Sequence, residues 1–358
     1  AYKVDDFYQI WANQCERRFA QLKANEEELN RIFIDIPASE ILYAPSQLIG
    51  KIAEPVVYQV GVLTQDITLN EGWNWVSTFL TVEENDVGTF FGDFEFADDD
   101  VVKGEASSAT YFDCAWYPDD FMIEPCRAYV VKKSAGGTES HEVEGFATEG
   151  AISVDDGWNW FGSCSSAVKT VADLRHSEGF SDDDIIKGAL ESATYKNGNW
   201  YPSTMQLKPG VGYLAKLANG GEFTFEVGVS SANAARNALV MKGMPNEQVA
   251  PDWKPVVKPG TFTVYARAKD AEGNYIETDG SLLAAFDGNG ECRGVCAIDD
   301  GPSVKFYQLN IGVESDGEPP LTLKVWNAAD GSVSEIGEKV SGNINDLIGT
   351  ISVPIEYQ

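Results

Sequence analysis

Residues able to act as a general base or a nucleophile are sparse in this chain. Only two histidines occur among its 358 residues, His141 and His176, and they stand in unrelated sequence contexts. A Ser-His-Asp or Cys-His catalytic set needs a histidine, and neither of these is flanked by a nucleophile elbow or a similar motif. The sequence therefore predicts two surface histidines and a protein that is not an enzyme.

Two acidic runs supply the candidate metal ligands. Clustered carboxylate oxygens can bind calcium, and a negatively charged chain favours such a cation. Neither run has the spaced Asp/Asn-Gly pattern of an EF-hand loop, and acidic turns are usually solvated. We predict no cofactor, with calcium at these turns as the alternative. The two runs are Asp98, Asp99 and Asp100, and Asp182, Asp183 and Asp184.

Paired tryptophans supply the candidate ligand-binding residues, because flat aromatic rings can stack on the faces of sugars. Trp73 and Trp75 lie two residues apart and would share one face of a strand, which favours core packing. The same holds for Trp158 and Trp160. We expect the exposed aromatic pairs to be those that precede a proline in a turn. These are Trp116, Tyr117, Trp200 and Tyr201.

The middle of the chain is written twice, with the second copy about 84 residues after the first. Residues 72–75 (Gly-Trp-Asn-Trp) return as residues 157–160, and the run at 98–104 returns at 182–188. Chance does not keep one offset across so many rare residues. The sequence therefore predicts two copies of one folding unit.

The six cysteines are too few and too scattered for a disulfide framework. Cys114 and Cys126 both correspond to glycine in the second copy. Joint presence and joint absence is the pattern of two bonded residues, so we predict a Cys114–Cys126 disulfide and an oxidising compartment. Cys292 and Cys296 form a single pair without a second pair or a histidine nearby, which favours core packing over zinc.

The charge of the chain excludes several classes of partner. Lysine and arginine number 26 against 56 aspartates and glutamates, which gives a net charge of −30. Binding to nucleic acid or to anionic membranes depends on clustered cations, so we expect neither. No apolar run of about 18 residues occurs, so no membrane-spanning helix is expected.

Apolar periodicity divides the rest of the chain. Apolar residues recur every seven positions from Tyr8 to Leu29, which predicts one long helix that Pro37 ends. Each copy shows alternating strands and one short helix, which in the second copy falls at residues 168–175. Beyond residue 253, short strands and turns recur without helices, as in an immunoglobulin-like sandwich.

The predicted fold class is mainly β, with an N-terminal long helix, a tandem β-rich repeat containing one short helix per copy, and a C-terminal immunoglobulin-like β-sandwich. The predicted domains are an amphipathic helix (1–36), a linker (37–62), repeat copy 1 (63–146), repeat copy 2 (147–229), a second linker (230–252) and a β-sandwich (253–358).

Residues 8–36 resemble a stretch of the large adenine-specific DNA methyltransferases of phage-exclusion (BREX-type) systems. The motifs are Tyr-Gln-Ile-Trp at 8–11 and the run from Leu22 to Ile36. No Asn-Pro-Pro-Tyr-type motif for a target base and no Gly-rich methyl-donor loop accompanies them. The resemblance therefore implies a borrowed or fused helix that serves in packing or self-association.

Residues from about 61 to 358 resemble secreted and surface modules of Bacteroidetes and related bacteria. The repeat is similar through its Gly-Trp-Asn-Trp strand, the acidic turn before residues 185–187 and the strand at 207–213. The C-terminal part is similar to the sandwich that often accompanies this repeat, through residues 284–295 and 323–327. This resemblance implies a surface or secreted accessory role and no mechanism.

Taken together, these features predict a non-enzymatic protein, extracellular or at the cell surface, that binds or assembles. Its expected partner is a protein or glycan at a cell surface, with self-association through the N-terminal helix. Two alternatives stay open. One is a glycan-binding module that uses the exposed Trp/Tyr pairs, and the other is a cytoplasmic accessory protein that docks on a DNA-defence methyltransferase through the N-terminal helix.

Overall fold

The computed structural model describes residues 62–148, 151–225, 249–270 and 272–358. They are mainly strands, as predicted. Their one α-helix, α1, spans only Val87–Phe90. In this part of the chain no helix has the length and apolarity needed to cross a membrane. The long helix predicted at 1–36 and most of both predicted linkers lie outside the described residues.

The first copy forms an antiparallel five-stranded sheet in the order β2-β7-β4-β5-β6 and a three-stranded sheet in the order β1-β8-β3. Its short helix α1 begins after Asp86, whose carboxylate accepts a hydrogen bond from the Thr89 amide. The strands are β1 (Leu63–Leu69), β2 (Gly72–Ser77), β3 (Leu80–Thr81), β4 (Val101–Lys103), β5 (Ser108–Phe112), β6 (Ala115–Tyr117), β7 (Ala128–Lys133) and β8 (Glu139–Ala147).

The second copy forms a five-stranded sheet of equivalent order, β10-β17-β13-β14-β15, a three-stranded sheet, β12-β18-β9, and a two-stranded sheet, β11-β16. The strands are β9 (Ile152–Val154), β10 (Gly157–Gly162), β11 (Lys169–Thr170), β12 (Leu174–His176), β13 (Ile185–Lys187), β14 (Ser192–Lys196), β15 (Asn199–Tyr201), β16 (Gln206–Leu207), β17 (Gly212–Leu217) and β18 (Gly221–Phe225).

The α-helix predicted at 168–175 is wrong. That segment contains a single 3-10 turn, Val171–Asp173, between two short strands. The Asp173 carboxylate accepts hydrogen bonds from the Thr170 amide and hydroxyl, at 2.8 and 2.9 Å, and so closes the turn on itself. Leu174 is already extended and pairs with β18. The apolar spacing arose from a turn followed by a strand.

The Gly-Trp-Asn-Trp motif is a turn followed by a strand. In the first copy Gly72 has φ +100°, a conformation that favours glycine. The Asn74 amide group closes the turn, because its oxygen accepts from the Asn70 amide and its nitrogen donates to the Asn70 carbonyl, both at 2.8 Å. Asn159 makes the same pair of bonds to Asp155. The asparagine and the glycine thus fix where the strand that carries the two tryptophans begins.

The C-terminal part is one continuous curved sheet in the order β24-β23-β20-β21-β22-β19-β25, with β26 also paired to β19. The Gly337 amide of β24 donates to the Gln358 carbonyl at the far end, at 3.0 Å, so the sheet curls almost closed. The strands are β19 (Gly260–Ala268), β20 (Leu282–Phe286), β21 (Cys292–Asp300), β22 (Lys305–Val313), β23 (Leu321–Trp326), β24 (Val333–Val340), β25 (Leu347–Ile348) and β26 (Ile355–Tyr357).

The predicted immunoglobulin-like sandwich is therefore wrong, and the fold class with it. A sandwich needs two separate sheets, whereas here β21 pairs with β20 over its first six residues and with β22 over its last three. Strand β21 therefore joins β24-β23-β20 on one side to β22-β19-β25 on the other, and the single sheet forms a half-barrel around one apolar core. Cys296 packs against that core, and Cys292 is buried, as the sequence predicts.

Buried hydrogen bonds dock the half-barrel on the second copy. The Lys187 ammonium donates to the Thr261 carbonyl at 2.9 Å, and the Thr194 and Tyr265 hydroxyls lie 2.7 Å apart. Such bonds are costly to break, because both partners are shielded from water. The other buried contacts run from Asn310 Nδ2 to the Gly188 carbonyl (2.8 Å) and from Gln308 Nε2 to Ser192 Oγ (2.9 Å).

Lys187 is the most unusual of these groups, because its side chain is fully buried. Burial lowers its pKa to about 7, an effect that attraction to Asp346 opposes and repulsion by Lys216 reinforces. Its ammonium also lies 4.4 Å from the centre of the Trp158 ring. The counterpart in the first copy, Lys103, is exposed and lies over Trp73.

Lys187 should make the stability of the protein rise with pH. The unfolded chain binds the lysine proton with a pKa near 10.5 and the folded chain with one of about 7, so unfolding takes up a proton between these values. Relative to Lys187→Met, wild type should gain on the order of 3 kcal/mol between about pH 7 and pH 9.5 in denaturant melts. Lys103→Met is the matched control and should track wild type. Equal stability differences at both pH values would show that Lys187 stays charged when buried.

Candidate functional site

In both copies the aspartate runs hold neighbouring loops in place by accepting hydrogen bonds from backbone amides. The Asp100 carboxylate accepts from the Ala97 and Ser134 amides at 2.8 and 3.0 Å. Asp184 accepts from Ser181 and Ala218, both at 2.8 Å, and its burial raises its pKa. Each of these carboxylates ties its run to the loop that follows β7 in the first copy or β17 in the second.

The other aspartates of the runs serve the same turns. Asp98 accepts from the Asp113 amide at 3.0 Å, and Asp182 accepts from the Asn197 amide at 2.8 Å, so each run also holds the neighbouring hairpin. Asp99 and Asp183 occupy the left-handed region, with φ of 69° and 72°. Among the described residues, no group of three or more His, Cys, Asp or Glu side chains is placed to hold a metal ion.

The aromatic pairs predicted to be exposed are largely buried. Trp116 and Trp200 are only 5% and 6% exposed, and each packs edge to face against a phenylalanine of its own copy. Tyr201 is half-buried against the half-barrel, and only Tyr117 is well exposed. The prediction of exposed pairs is wrong because the edge strands β6 and β15 turn their tryptophans inward. These rings offer no stacking surface to a sugar.

The predicted Cys114–Cys126 disulfide is also wrong. Cys126 is bonded to Cys164 of the second copy, and Cys114 is a free, exposed thiol. The bond joins the two copies and does not lie within one of them. The sequence held the needed information, because Cys164 also lacks a cysteine counterpart and corresponds to Phe79.

The two copies meet through equivalent contacts. Counterparts are 85 residues apart on strands β2 and β10 and 84 residues apart on strands β7 and β17, as the aligned registers show. The Ser77 amide donates to the Gly210 carbonyl at 3.0 Å, and the counterpart Gly162 amide donates to the Cys126 carbonyl at 2.9 Å. The arrangement is therefore close to two-fold symmetric.

Tryptophan side chains fill the junction between the copies. Trp75 packs with Val130 and Leu214, and Trp160 packs against this cluster. The Trp75 indole nitrogen also donates to the Lys258 carbonyl at 2.9 Å, which ties the first copy to the half-barrel. Core packing, which the two-residue spacing predicted, is thus the role of Trp75.

A cleft of about 380 Å³ opens where the two copies and the segment before the half-barrel meet, and we call it the inter-copy cleft. Its apolar wall includes two indoles, of which Trp73 is half-exposed and is fixed by a 3.0 Å bond to the Glu314 carboxylate. The apolar lining residues include Trp73, Trp75, Val76, Ala189, Leu190, Pro209, Val211 and Val257. The polar lining residues include Asp66, Thr68, Asn70, Glu191 and Lys208.

Charge in the inter-copy cleft comes from both copies. Glu191 keeps contact with solvent, yet the surrounding walls desolvate its carboxylate and raise its pKa, against the attraction of Lys208. Asp66 is exposed on the opposite wall. A partly desolvated carboxylate beside an ammonium gives the cleft both acceptors and donors for a polar ligand.

The approximate two-fold symmetry relates the inter-copy cleft to a second place between the copies, and there side chains bridge the two copies. There Arg127 donates to the Ser153 carbonyl at 3.3 Å, and Glu105 interacts with Arg127 and with the backbone of Trp160. The counterparts of Glu105 and Arg127 are Ala189 and Val211. Because these two are short and apolar, the inter-copy cleft stays open on their side. The sequence contained this difference, but only the packing of the copies shows its effect.

Comparisons with known proteins give one short similarity. A segment of 35 residues, 10% of this chain, is 57% identical to "Adenine-specific methyltransferase PglX" of Lacticaseibacillus casei (strain Zhang). The chain spans about 3% of the length of that relative. No family model and no solved structure matches the chain.

The Cys126–Cys164 bond should contribute strongly to stability. It closes a loop over 38 positions, and its loss in a Cys126→Ala, Cys164→Ala double variant should lower the free energy of unfolding by up to about 4 kcal/mol. Guanidinium melts measure this change, and Cys114→Ala is the control that should leave it unchanged. Peptide mapping of unreduced protein that found Cys126 free, or bonded to Cys114, would contradict the pairing.

Proposed function

We propose that this chain is a non-enzymatic binding protein of the secreted or cell-surface type, and that the inter-copy cleft holds its ligand, a neutral carbohydrate. The observation that carries the proposal is the cleft itself. It brings two indoles together with hydroxyl, amide, carboxylate and ammonium groups on facing walls. Few polar groups set in an apolar concave wall are typical of sites for small ligands.

A sugar matches this chemistry better than an anion does. Sugars combine apolar ring faces, which indoles can cover, with hydroxyls that need hydrogen-bond partners. The cleft has two carboxylates, Asp66 and Glu191, against the single ammonium of Lys208. The chain as a whole carries a net charge of −30. An anionic glycan or a phosphate would be repelled by this field.

The walls of the cleft are held in place before a ligand arrives. The disulfide and the paired backbone bonds fix the two copies to each other. The bonds from Trp73 to Glu314 and from Trp75 to Lys258 fix β2 to the half-barrel and to the segment before it. A site that is already ordered loses less conformational entropy on binding, which favours affinity.

The disulfide also supports the proposed compartment, because such bonds persist mainly in oxidising environments. The 35-residue similarity to PglX favours a second candidate, an accessory role beside a DNA-defence methyltransferase in a reducing cytoplasm. The two differ in the state of the cysteines. Free Cys126 and Cys164 in natively isolated protein would favour the second candidate.

Closing the inter-copy cleft should abolish sugar binding. Ala189→Glu with Val211→Arg copies the bridged side and should leave the fold intact, since Glu105 and Arg127 already occupy the equivalent positions. On a glycan array with neutral and anionic oligosaccharides, wild type should retain neutral ones and the double variant should lose them. Trp73→Ala should weaken binding at least about tenfold.

Trp253→Ala is the matched control, because this indole packs on Phe286 and does not line the cleft. It should bind as wild type does. Retention of anionic glycans alone, or equal binding by wild type and the double variant, would contradict the proposal.

A further inference from the structure

A second cavity, of about 350 Å³, lies in the first copy beside α1 and β6, and we call it the aromatic groove. Its lining differs from that of the inter-copy cleft in being dominated by rings. Two exposed or half-exposed carboxylates, Asp86 and Asp119, and the free thiol of Cys114 complete it. The rings are those of Phe91, Phe94, Phe96, Tyr111 and Trp116.

The rings form one connected cluster. The centre of Phe96 lies 4.9 Å from that of Trp116 and 5.8 Å from that of Tyr111, and Phe96 and Tyr111 are both half-exposed. Gly88 lies beside the Trp116 indole, where a β-carbon would come within 3.9 Å of the ring. The small residue leaves the groove open above the rings.

The two carboxylates of the aromatic groove, those of Asp86 and Asp119, make its lining acidic. Asp86 accepts a hydrogen bond from the Thr89 amide at 2.9 Å, and the bonds to Thr89 lower its pKa. Asp119 is exposed. None of the described lining residues is a lysine or an arginine. The groove thus combines the half-exposed rings of Phe96 and Tyr111 with carboxylates that no described lining cation neutralises.

The second copy has different residues at several positions that correspond to the aromatic groove. The counterpart of Phe91 is Arg175, whose guanidinium donates at 2.8 Å to the carbonyl of Ala172, the counterpart of Gly88. The carboxylates are absent there, because Thr170 and Ser203 stand in place of Asp86 and Asp119 (residue pairs 84 apart). The acidic residues of the aromatic groove are thus not repeated in the second copy.

We propose that the aromatic groove binds an alkylammonium group. Cations are attracted to the faces of aromatic rings, and this attraction strengthens when the cation is partly shielded from water. The two carboxylates add a charge that a neutral apolar ligand could not use. The ammonium could belong to a free amine or to a lysine side chain of a partner protein, and the two sources share this chemistry.

Calorimetric titration of the full chain tests the proposal with three probes. They are n-butylammonium, Nα-acetyl-lysine N-methylamide and the neutral Nα-acetyl-norleucine N-methylamide. Both cations should bind at one site per chain, more weakly as salt is raised, and the neutral probe should bind at least about fivefold more weakly. Tighter binding of the lysine derivative than of the free amine identifies a protein side chain as the source, and equal binding identifies a small amine. Equal binding of the neutral probe would overturn the proposal.

Variants locate the site. Asp119→Asn and Tyr111→Leu should each weaken binding of the cations about threefold to fivefold. Tyr195→Leu removes the equivalent ring from the second copy and is the matched control, with no expected change in affinity. Equal effects of Tyr111→Leu and Tyr195→Leu would place binding elsewhere and overturn the assignment.

Cys114 gives an independent readout, because its thiol lies at the groove. Tetramethylammonium should slow alkylation of Cys114 by iodoacetamide, relative to sodium chloride at the same ionic strength, with the modified peptide identified by mass spectrometry. Tyr111→Leu should reduce this protection. An unchanged rate in wild type, or equal protection by the neutral analogue neopentyl alcohol, would contradict an ammonium site.

Discussion

Gly162 and Gly212 bring the two copies so close together that neither position could carry a side chain. A β-carbon on Gly162 would lie 1.6 Å from Ser77 Oγ, and one on Gly212 would lie 2.9 Å from the Val76 carbonyl oxygen. This close approach sets the packing of the tryptophans, the position of the disulfide and the shape of the inter-copy cleft. The half-barrel then docks on a surface to which both copies contribute.

The sequence predicted what is local and periodic. Alternating apolar residues gave strands, and the repeated Gly-Trp-Asn-Trp motif marked equivalent turns in the two copies. The helix prediction at 168–175 failed because of short-range polar bonds. The hydrogen bonds that Asp173 accepts from Thr170 end the turn after three residues. The sandwich prediction failed because it depends on long-range pairing. Nothing in the residues of β21 shows that its first part pairs with β20 and its last part with β22, which joins the two sets of strands into one sheet.

The candidate sites were missed for a related reason. Trp116 and Trp200 looked exposed because a proline turn follows each, yet edge strands can turn a large ring inward. The inter-copy cleft consists of residues that are far apart in the chain, such as Thr68, Leu190 and Val257. Only the contact between the copies brings them together, and a single sequence gives no measure of that contact.

The disulfide also has a mechanical consequence. If a pulling force is applied along the chain from the first copy to the half-barrel, the load passes directly from Cys126 to Cys164 and bypasses the segment between them. That segment spans 38 positions, so about 130 Å of extended chain cannot unravel while the bond is intact. The covalent clamp lies at the contact that shapes the inter-copy cleft, so tension would extend other parts of the molecule before it separated the two copies at that point.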